Sequence, residues 1–178
     1  MRAKFGIAVI VSALTIVAIS HSLGVSRAAA SNSDDKAAIA TLENRLTDAF
    51  NKMDPGAVMT FYMKDADAVY FEDVLPFQIK GWNSLNEGTR GFYKEMKVTQ
   101  WQASVEALSV EVSGKLAAAH FIVPIKWTDK NGQHFERARG THIFKKVDGK
   151  WLIWHEHLSV PFDPATGKAV LDASPSKD

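Results

Sequence analysis

Three residues in the stretch WLIWHEHLSVPFD (151–163) are of types that do chemistry: His155, Glu156 and His157. In an extended segment, alternate side chains share a face. His155 and His157 therefore fall together, roughly 7 Å apart at the backbone, with Trp151, Ile153 and Ser159. Glu156 falls opposite, with Leu152, Trp154, Leu158 and Val160. Two imidazoles so placed can meet one substrate, and their near-neutral pKa suits proton transfer. They can also meet one metal ion, with His142 or His120 as a third ligand. An HxH pair alone is too weak a signal for that, so no metal is assigned. The structural alternative is a histidine bonded at both nitrogens, fixing the packing of its strand. Glu156 is expected to pair with Arg137 or Arg139 on the neighbouring strand.

Arg139 and His142 differ in strand parity and point to opposite faces. An arginine inside a cavity would take a carboxylate-bearing ligand. On a sheet surface it pairs or lies flat. GTRG (88–91) lacks the lysine and the strand–helix setting of a phosphate loop, and no serine nucleophile elbow is present. No cofactor is assigned.

These residues need elements to position them. Ile39, Leu42, Leu46, Ala49, Phe50 and Met53 recur at helical spacing, and Ser33 or Asp34 is expected to cap that helix. Asp54-Pro55 ends it and opens a short second helix, with Val58, Phe61 and Tyr62 toward the core. Ala68–Glu72 and Phe77–Lys80 read as short strands. Residues 82–96 read as a helix with Trp82, Leu85 and Phe92 buried. Four longer strands follow, the last two joined by a DGK turn (148–150). Pro124 inside a strand pattern marks a bulge or a sheet edge. Helices on one side and a sheet on the other make an α+β domain.

The 178-residue chain is long enough for one domain with a real core. Arg2 and Lys4 precede an apolar run from Phe5 to Ile19, and Ala28 and Ala30 precede Ser31. This is the pattern of a secretory leader over 1–30, and it implies a periplasmic or secreted protein with no membrane anchor after cleavage. The domain is expected over 31–163, with 164–178 a loose tail. The net charge of +1 turns slightly negative once Arg2, Lys4 and Arg27 are removed. No dense basic patch points to nucleic acid. There is no cysteine, so disulfides, thiol catalysis and thiolate ligation are excluded.

The order of elements, with HIFKKVDGKWLIWHEHLSVPFD (142–163) at its end, resembles the SnoaL-like branch of the nuclear-transport-factor-like superfamily. It is similar to the part of that superfamily near the calcium/calmodulin-dependent kinase association domain. The resemblance covers about Asp35 to Asp163. Its most specific part is Asp148-Gly149-Lys150-Trp151, followed by His155, His157, Ser159 and Pro161. YFEDVLPFQIKGWNSL (70–85) agrees with it.

The resemblance implies a cone-shaped, strongly curved antiparallel sheet, with three helices from the N-terminal half enclosing a hydrophobic pocket, and a homodimer across the sheet. Through ketosteroid-isomerase-like members it also implies a carboxylate base near the early strands. Asp73 is the candidate, ahead of Glu72, with His155 and His157 as further catalytic candidates. Such a base needs an apolar cavity and donors for a developing oxyanion. Tyr62 and Tyr70 are candidate donors. Trp101, Trp127, His120 and Arg139 are candidates for contacting an apolar or carboxylate-bearing small molecule. The first helix has no tyrosine from Ile39 to Met53, a departure from the isomerase pattern. The leading expectation is an exported small-molecule-binding protein. The alternatives are a proton-transfer enzyme (isomerase, cyclase or dehydratase type) and a non-catalytic dimerisation or accessory domain.

Overall fold

Helical spacing of apolar residues produces the first element, α1 (Leu14–Asn51), which buries Ile39, Leu46 and Ala49 along one stripe. The computed structural model describes residues 14–173, with side chains from residue 32 onward. Residues 1–13 of the expected leader lie outside the described residues. The helix runs through Ser33 and Asp34 instead of starting there. Asp35 instead ties the helix to the sheet: it accepts from Lys146 Nζ at 2.5 Å and from Trp151 Nε1 at 3.0 Å. Those two bonds hold its carboxyl below the usual range. Among the described residues no helix is long and apolar enough to cross a membrane.

α2 (Pro55–Val58) follows, with Pro55 at its first position and Asp54 accepting from Ala57 N at 3.0 Å. Next come β1 (Val69–Phe71), β2 (Ile79–Lys80) and α3 (Trp82–Glu95). The remaining strands are β3 (Gln100–Ala103), β4 (Glu106–Ser113), β5 (Leu116–Asp129), β6 (Gly132–Val147), β7 (Lys150–Ser159), β8 (Phe162–Asp163) and β9 (Lys168–Ala169). The last two pair with each other, and the Leu171 carbonyl accepts from Arg137 N at 2.7 Å. Part of the segment expected as a loose tail is therefore folded back on β6. Residues 174–178 lie outside the described residues.

The α+β class holds, but the cone does not. The main sheet runs β2-β1-β7-β6-β5-β3, with β4 also on β5, and no pair joins its two ends. It is open and not strongly curled. Nor is it purely antiparallel, because β1 runs parallel to β7. The physical reason is that β1 and β2 are too short to carry the sheet round to β3 and β4. The helices cover one face of an open sheet instead of plugging a barrel.

Pro124 lies in the middle of β5, neither at a bulge nor on an edge strand. Its partner is the discontinuity. β5 pairs with β3 up to Ile125 and with β4 from Ile122, and Ser104 N donates to the Pro124 carbonyl across the gap. The missing N–H thus falls where one neighbouring strand stops and the next begins.

Alternation then sorts the long strands. On β6, Ala138, Gly140, His142 and Phe144 are buried; on β5, so are Ala117, Ala119, Phe121, Val123 and Ile125. This inner face meets α1 and α2 around Val58, Met59, Tyr62, Phe144, Trp151 and Ile153. Wholly buried side chains such as Phe144 and Ile153 each contribute about 1.5–3 kcal/mol. A second cluster farther along the face comprises Phe121, Val123, Ile125 and Ala138. Gly140 joins the two clusters by letting the Phe121 ring lie on its backbone: a Cβ there would stand 2.3 Å from Phe121 Cε2. Gly140→Ala is expected to cost about 1–3 kcal/mol by overpacking. A lowered denaturation midpoint checks this, with part of the loss recovered in Gly140→Ala/Phe121→Leu.

Candidate acidic site on the inner face

The strand that carries His155, Glu156 and His157 contains an irregularity that reverses its faces. Ile143 pairs with His155, but Phe144 pairs with Ile153, so Trp154 is an extra residue on β7. Trp154 is held in place at this bulge: its Nε1 donates to Asp65 Oδ2 at 2.9 Å, and Lys145 Nζ lies 3.4 Å from the ring centroid. Beyond a bulge the alternation shifts by one. Trp151 and Ile153 point inward, and so does Glu156, opposite His142. His155 and His157 point outward with Ile143 and Thr141.

Glu156 is the hub of a buried network. His142 contacts Glu43 Oε1 through Nδ1 at 2.8 Å and Glu156 Oε2 through Nε2 at 2.5 Å. Tyr62 donates its hydroxyl to the same Glu156 oxygen at 2.7 Å. Tyr62 is delivered by backbone pairing of the 61–63 segment to β7: Ile153 N donates to Phe61 O and Met63 N to Ile153 O. Burial opposes a charge on His142, but the carboxylates of Glu43 and Glu156 outweigh it and hold the imidazole up at about 10. The imidazolium therefore donates through both nitrogens. Burial opposes the Glu156 charge as well, and His142 overcomes it, keeping that carboxyl below its usual range. Burial, then the Glu156 charge, push the Tyr62 hydroxyl well up. Tyr62→Phe leaves this carboxylate one donor short and is expected to cost about 1.5–3 kcal/mol, measured by urea unfolding.

A second group of acids continues from the hub. Glu72 lies close to Glu156, and Asp73 close to Glu136 on β6. No protein N–H or hydroxyl reaches Glu72 Oε1 or Asp73 Oδ2, although both atoms are sealed from solvent. Facing carboxyls satisfy one another only by sharing a proton, because two ionised ones repel. Burial, then the charge of Glu156, raise Glu72 well above its usual range. Burial raises Asp73 too, and burial plus the Asp73 charge push Glu136 up to about 8. The Asp73–Glu136 pair thus titrates as a unit, with burial and mutual repulsion opposing ionisation of both carboxyls.

The sequence candidates are distributed as follows. Asp73, Tyr62 and Tyr70 lie on the acidic side of the inner face. Tyr70 is wholly buried, edge-on to the Tyr62 ring at 5.9 Å, and its hydroxyl has no protein partner. Trp101 and Trp127 are cross-strand partners with centroids 5.9 Å apart, and His134 stacks on Trp127 at 5.0 Å. They border an open cleft of about 660 Å³. His155 is half-buried at the outer side, with Nδ1 2.6 Å from the Val69 carbonyl and its ring against Phe71. His157, His120 and Arg139 are exposed on that outer face, so Asp73 does not meet either histidine. Arg137 pairs with Glu106, not Glu156. Among the described residues no three acids or histidines converge as metal ligands.

Glu43 and Glu136 were not among the candidates, yet each left a signal. Glu43 is four residues from Ile39 and three from Leu46, inside the apolar stripe. Glu136 shares parity with Ala138, Gly140 and His142.

Comparison with known proteins agrees with this architecture. A search of curated proteins gives no match. An NTF2-like protein of unknown function from Pseudomonas putida KT2440 is 26% identical with a TM-score of 0.71, covering 80% of this chain and 98% of its own. A provisionally named calcium/calmodulin-dependent protein kinase II association domain from Xanthomonas campestris is 24% identical with a TM-score of 0.58, covering 68% and 84%. A provisionally named dehydratase of the NTF2-like family from Streptomyces avermitilis is 14% identical with a TM-score of 0.64, covering 71% and 96%. The model of the SnoaL-like domain matches residues 39–163, from the apolar stripe of α1 through β8, and the chain belongs to that family.

Proposed function

We propose that the chain is an exported protein that binds a small molecule on the inner face of its sheet, beside the Asp73–Glu136 pair. The fold alone names no ligand. The observation that carries the reading is a pair of neighbouring carboxyls with, among the described residues, no basic partner on the inner face: Asp73 and Glu136 are half-buried, unlike His142. Apolar surface with a few convergent polar groups is the usual make-up of a ligand site. Val74, Leu75 and Phe77 stand exposed on the loop that follows Asp73. The test is titration with 2-naphthylmethanol, read by tryptophan fluorescence. Saturable binding is expected, weakened about tenfold in Asp73→Asn by loss of a charged acceptor. Binding indifferent to that substitution would place the ligand elsewhere.

One observation favours a second reading, proton-transfer catalysis. Asp73 and Glu136 are neighbouring carboxyls whose burial resists ionisation of both, so one can act as base while the other stays protonated, and one structural neighbour carries a dehydratase name. On this reading Asp73 takes a proton from carbon beside a ketone. Deuterium exchange into 2-tetralone, present with the intact protein and absent in Asp73→Asn, is the expected result. His142 is not the base, since both its nitrogens are occupied.

Export rests on the leader pattern of residues 1–30. Protein recovered from the periplasm or medium is expected to begin near Ser31. A homodimer through the outer face, where Ile122, Ile143 and Phe71 are half-buried, is to be read by sedimentation.

A further inference from the structure

The far end of the sheet carries a second feature, which the inner-face site does not use. Strands β3, β5 and β6 lie in register there. Gln100, Thr128 and Gln133 form one row, Trp101, Trp127 and His134 the next, and Gln102, Lys126 and Phe135 the third. Alternation sends the middle row to one face and the two flanking rows to the other. The middle rings turn inward, where Phe92 and Tyr93 of α3 pack edge-on against Trp101. The flanking rows stand on the outer face, roughly 7 Å apart, with the backbone of the middle row as the floor between them. Together these rows line the open cleft of about 660 Å³, a volume in the range of small-molecule sites.

The floor is braced from below. Trp101 and Trp127 lie 5.9 Å apart, His134 stacks on Trp127 at 5.0 Å, and Asp129 Oδ1 meets His134 Nε2 at 2.8 Å. The cleft is therefore formed before anything enters it, which lowers the cost of binding.

The walls select the class of occupant. Gln100, Gln102 and Gln133 are amides, Thr128 a hydroxyl, Lys126 an ammonium and Phe135 a phenyl ring. No carboxylate lines the cleft, and Asp129 at the turn beyond it is engaged by His134 and Asn131 N. The three glutamines are exposed. Among the described residues the one side-chain bond between wall groups is a long one, from Thr128 Oγ1 to Gln100 Oε1 at 3.4 Å. An amide both donates and accepts, and so does a hydroxyl. A ligand rich in hydroxyls uses both ends of each amide, whereas a carboxylate or phosphate only accepts and leaves the amide oxygens idle. Half-buried Phe135 offers apolar surface to the C–H face of a saturated ring.

We infer that this outer cleft binds a neutral, hydroxyl-rich ring compound, a saccharide by class. The ring lies between the two rows against Phe135, and the three glutamines exchange hydrogen bonds with its hydroxyls. No covalent bond changes. The site lies on the opposite face from Asp73 and Glu136 and is independent of the binding proposed there.

The experiment is an NMR titration of the nitrogen-labelled full chain with maltotriose, cellotriose and triacetylchitotriose, with inorganic phosphate as the charged control. The signals followed are the side-chain amides of Gln100, Gln102 and Gln133. Saturable shifts with at least one saccharide are expected, and none with phosphate. Gln102→Ala/Gln133→Ala is expected to weaken that binding about tenfold, and Phe135→Ala by a similar factor. Both glutamines are exposed, so the double variant keeps the test open even if Phe135→Ala fails to fold. Silence from all three saccharides, or larger shifts with phosphate than with any of them, overturns the inference. The inner face is read separately with 2-naphthylmethanol, which is expected not to compete. Competition between the two would place both in one site and overturn the inference as well.

Discussion

His142→Leu is expected to be the most damaging single substitution in the domain. It removes the only cation between Glu43 and Glu156 and leaves two carboxyls in a space where the three side chains are 1–7% exposed. Removing one partner from a buried ionic group costs about 3–5 kcal/mol. That is much of the stability of a typical domain. The loss is expected as a collapsed urea midpoint or as insoluble protein. The partner experiment separates charge from packing. Replacing the whole group, as Glu43→Leu/His142→Leu/Glu156→Leu, takes away the charges together and is expected to recover most of the loss. A triple variant no better than His142→Leu would mean that shape, not charge, is what the site supplies.

The second large effect is on pH dependence, and its direction is unusual. His142 is raised from 6.5 to about 10 in the folded protein. Its contribution is fully present below 6.5 and is lost as pH rises toward 10. Glu136 is raised from 4.5 to about 8, so its contribution is present below 4.5 and is lost between those values. Glu72 and Asp73 are also raised and act in the same direction. Glu156 and Asp35 are lowered; their contributions are present above their ordinary values and are lost as pH falls through the folded ones. Stability is therefore expected to peak on the mildly acidic side and to decline steadily from about pH 5 to pH 10, by several kcal/mol in all. Denaturant midpoints across that range check it. Glu136→Gln is expected to flatten the acidic part of the slope and leave the part above pH 8.

Both effects depend on residues whose positions the sequence only half discloses. The apolar stripe of the first helix, the Asp54-Pro55 start of α2, the short early strands and the DGK hairpin are legible because each rests on local spacing or turn chemistry. The face of Glu156 was not legible. Strict alternation places it opposite Trp151 and Ile153, and one extra residue at Trp154 reverses that. The partners that hold the bulge, Asp65 and Lys145, lie far away in the chain or on another strand. Counting along one strand cannot find them. The outward turn of His155 and His157 follows from the same residue. The openness of the sheet was hidden as well, because it depends on how far the short strands carry the edge, not on any periodicity.

Glu43 and Glu136 show a different limit. Each occupies an apolar position by spacing, and a charged residue at such a position can be read as a break in the pattern or as a buried acid. The pairing with His142 and Asp73 decides between the two. It comes from strand register, which sets Gly140, Ala138 and Glu136 in line below His142.

The central claim is that Asp73 and Glu136 titrate as a unit on a ligand-binding face. Carboxyl-carbon NMR of protein labelled at aspartate and glutamate, followed from pH 3 to pH 10, tests it most directly. The two carboxyls are expected to titrate as a coupled pair, with one step reaching about pH 8 and shifting when 2-naphthylmethanol is added. Two independent titrations in the ordinary carboxylate range, unmoved by the alcohol, would contradict it.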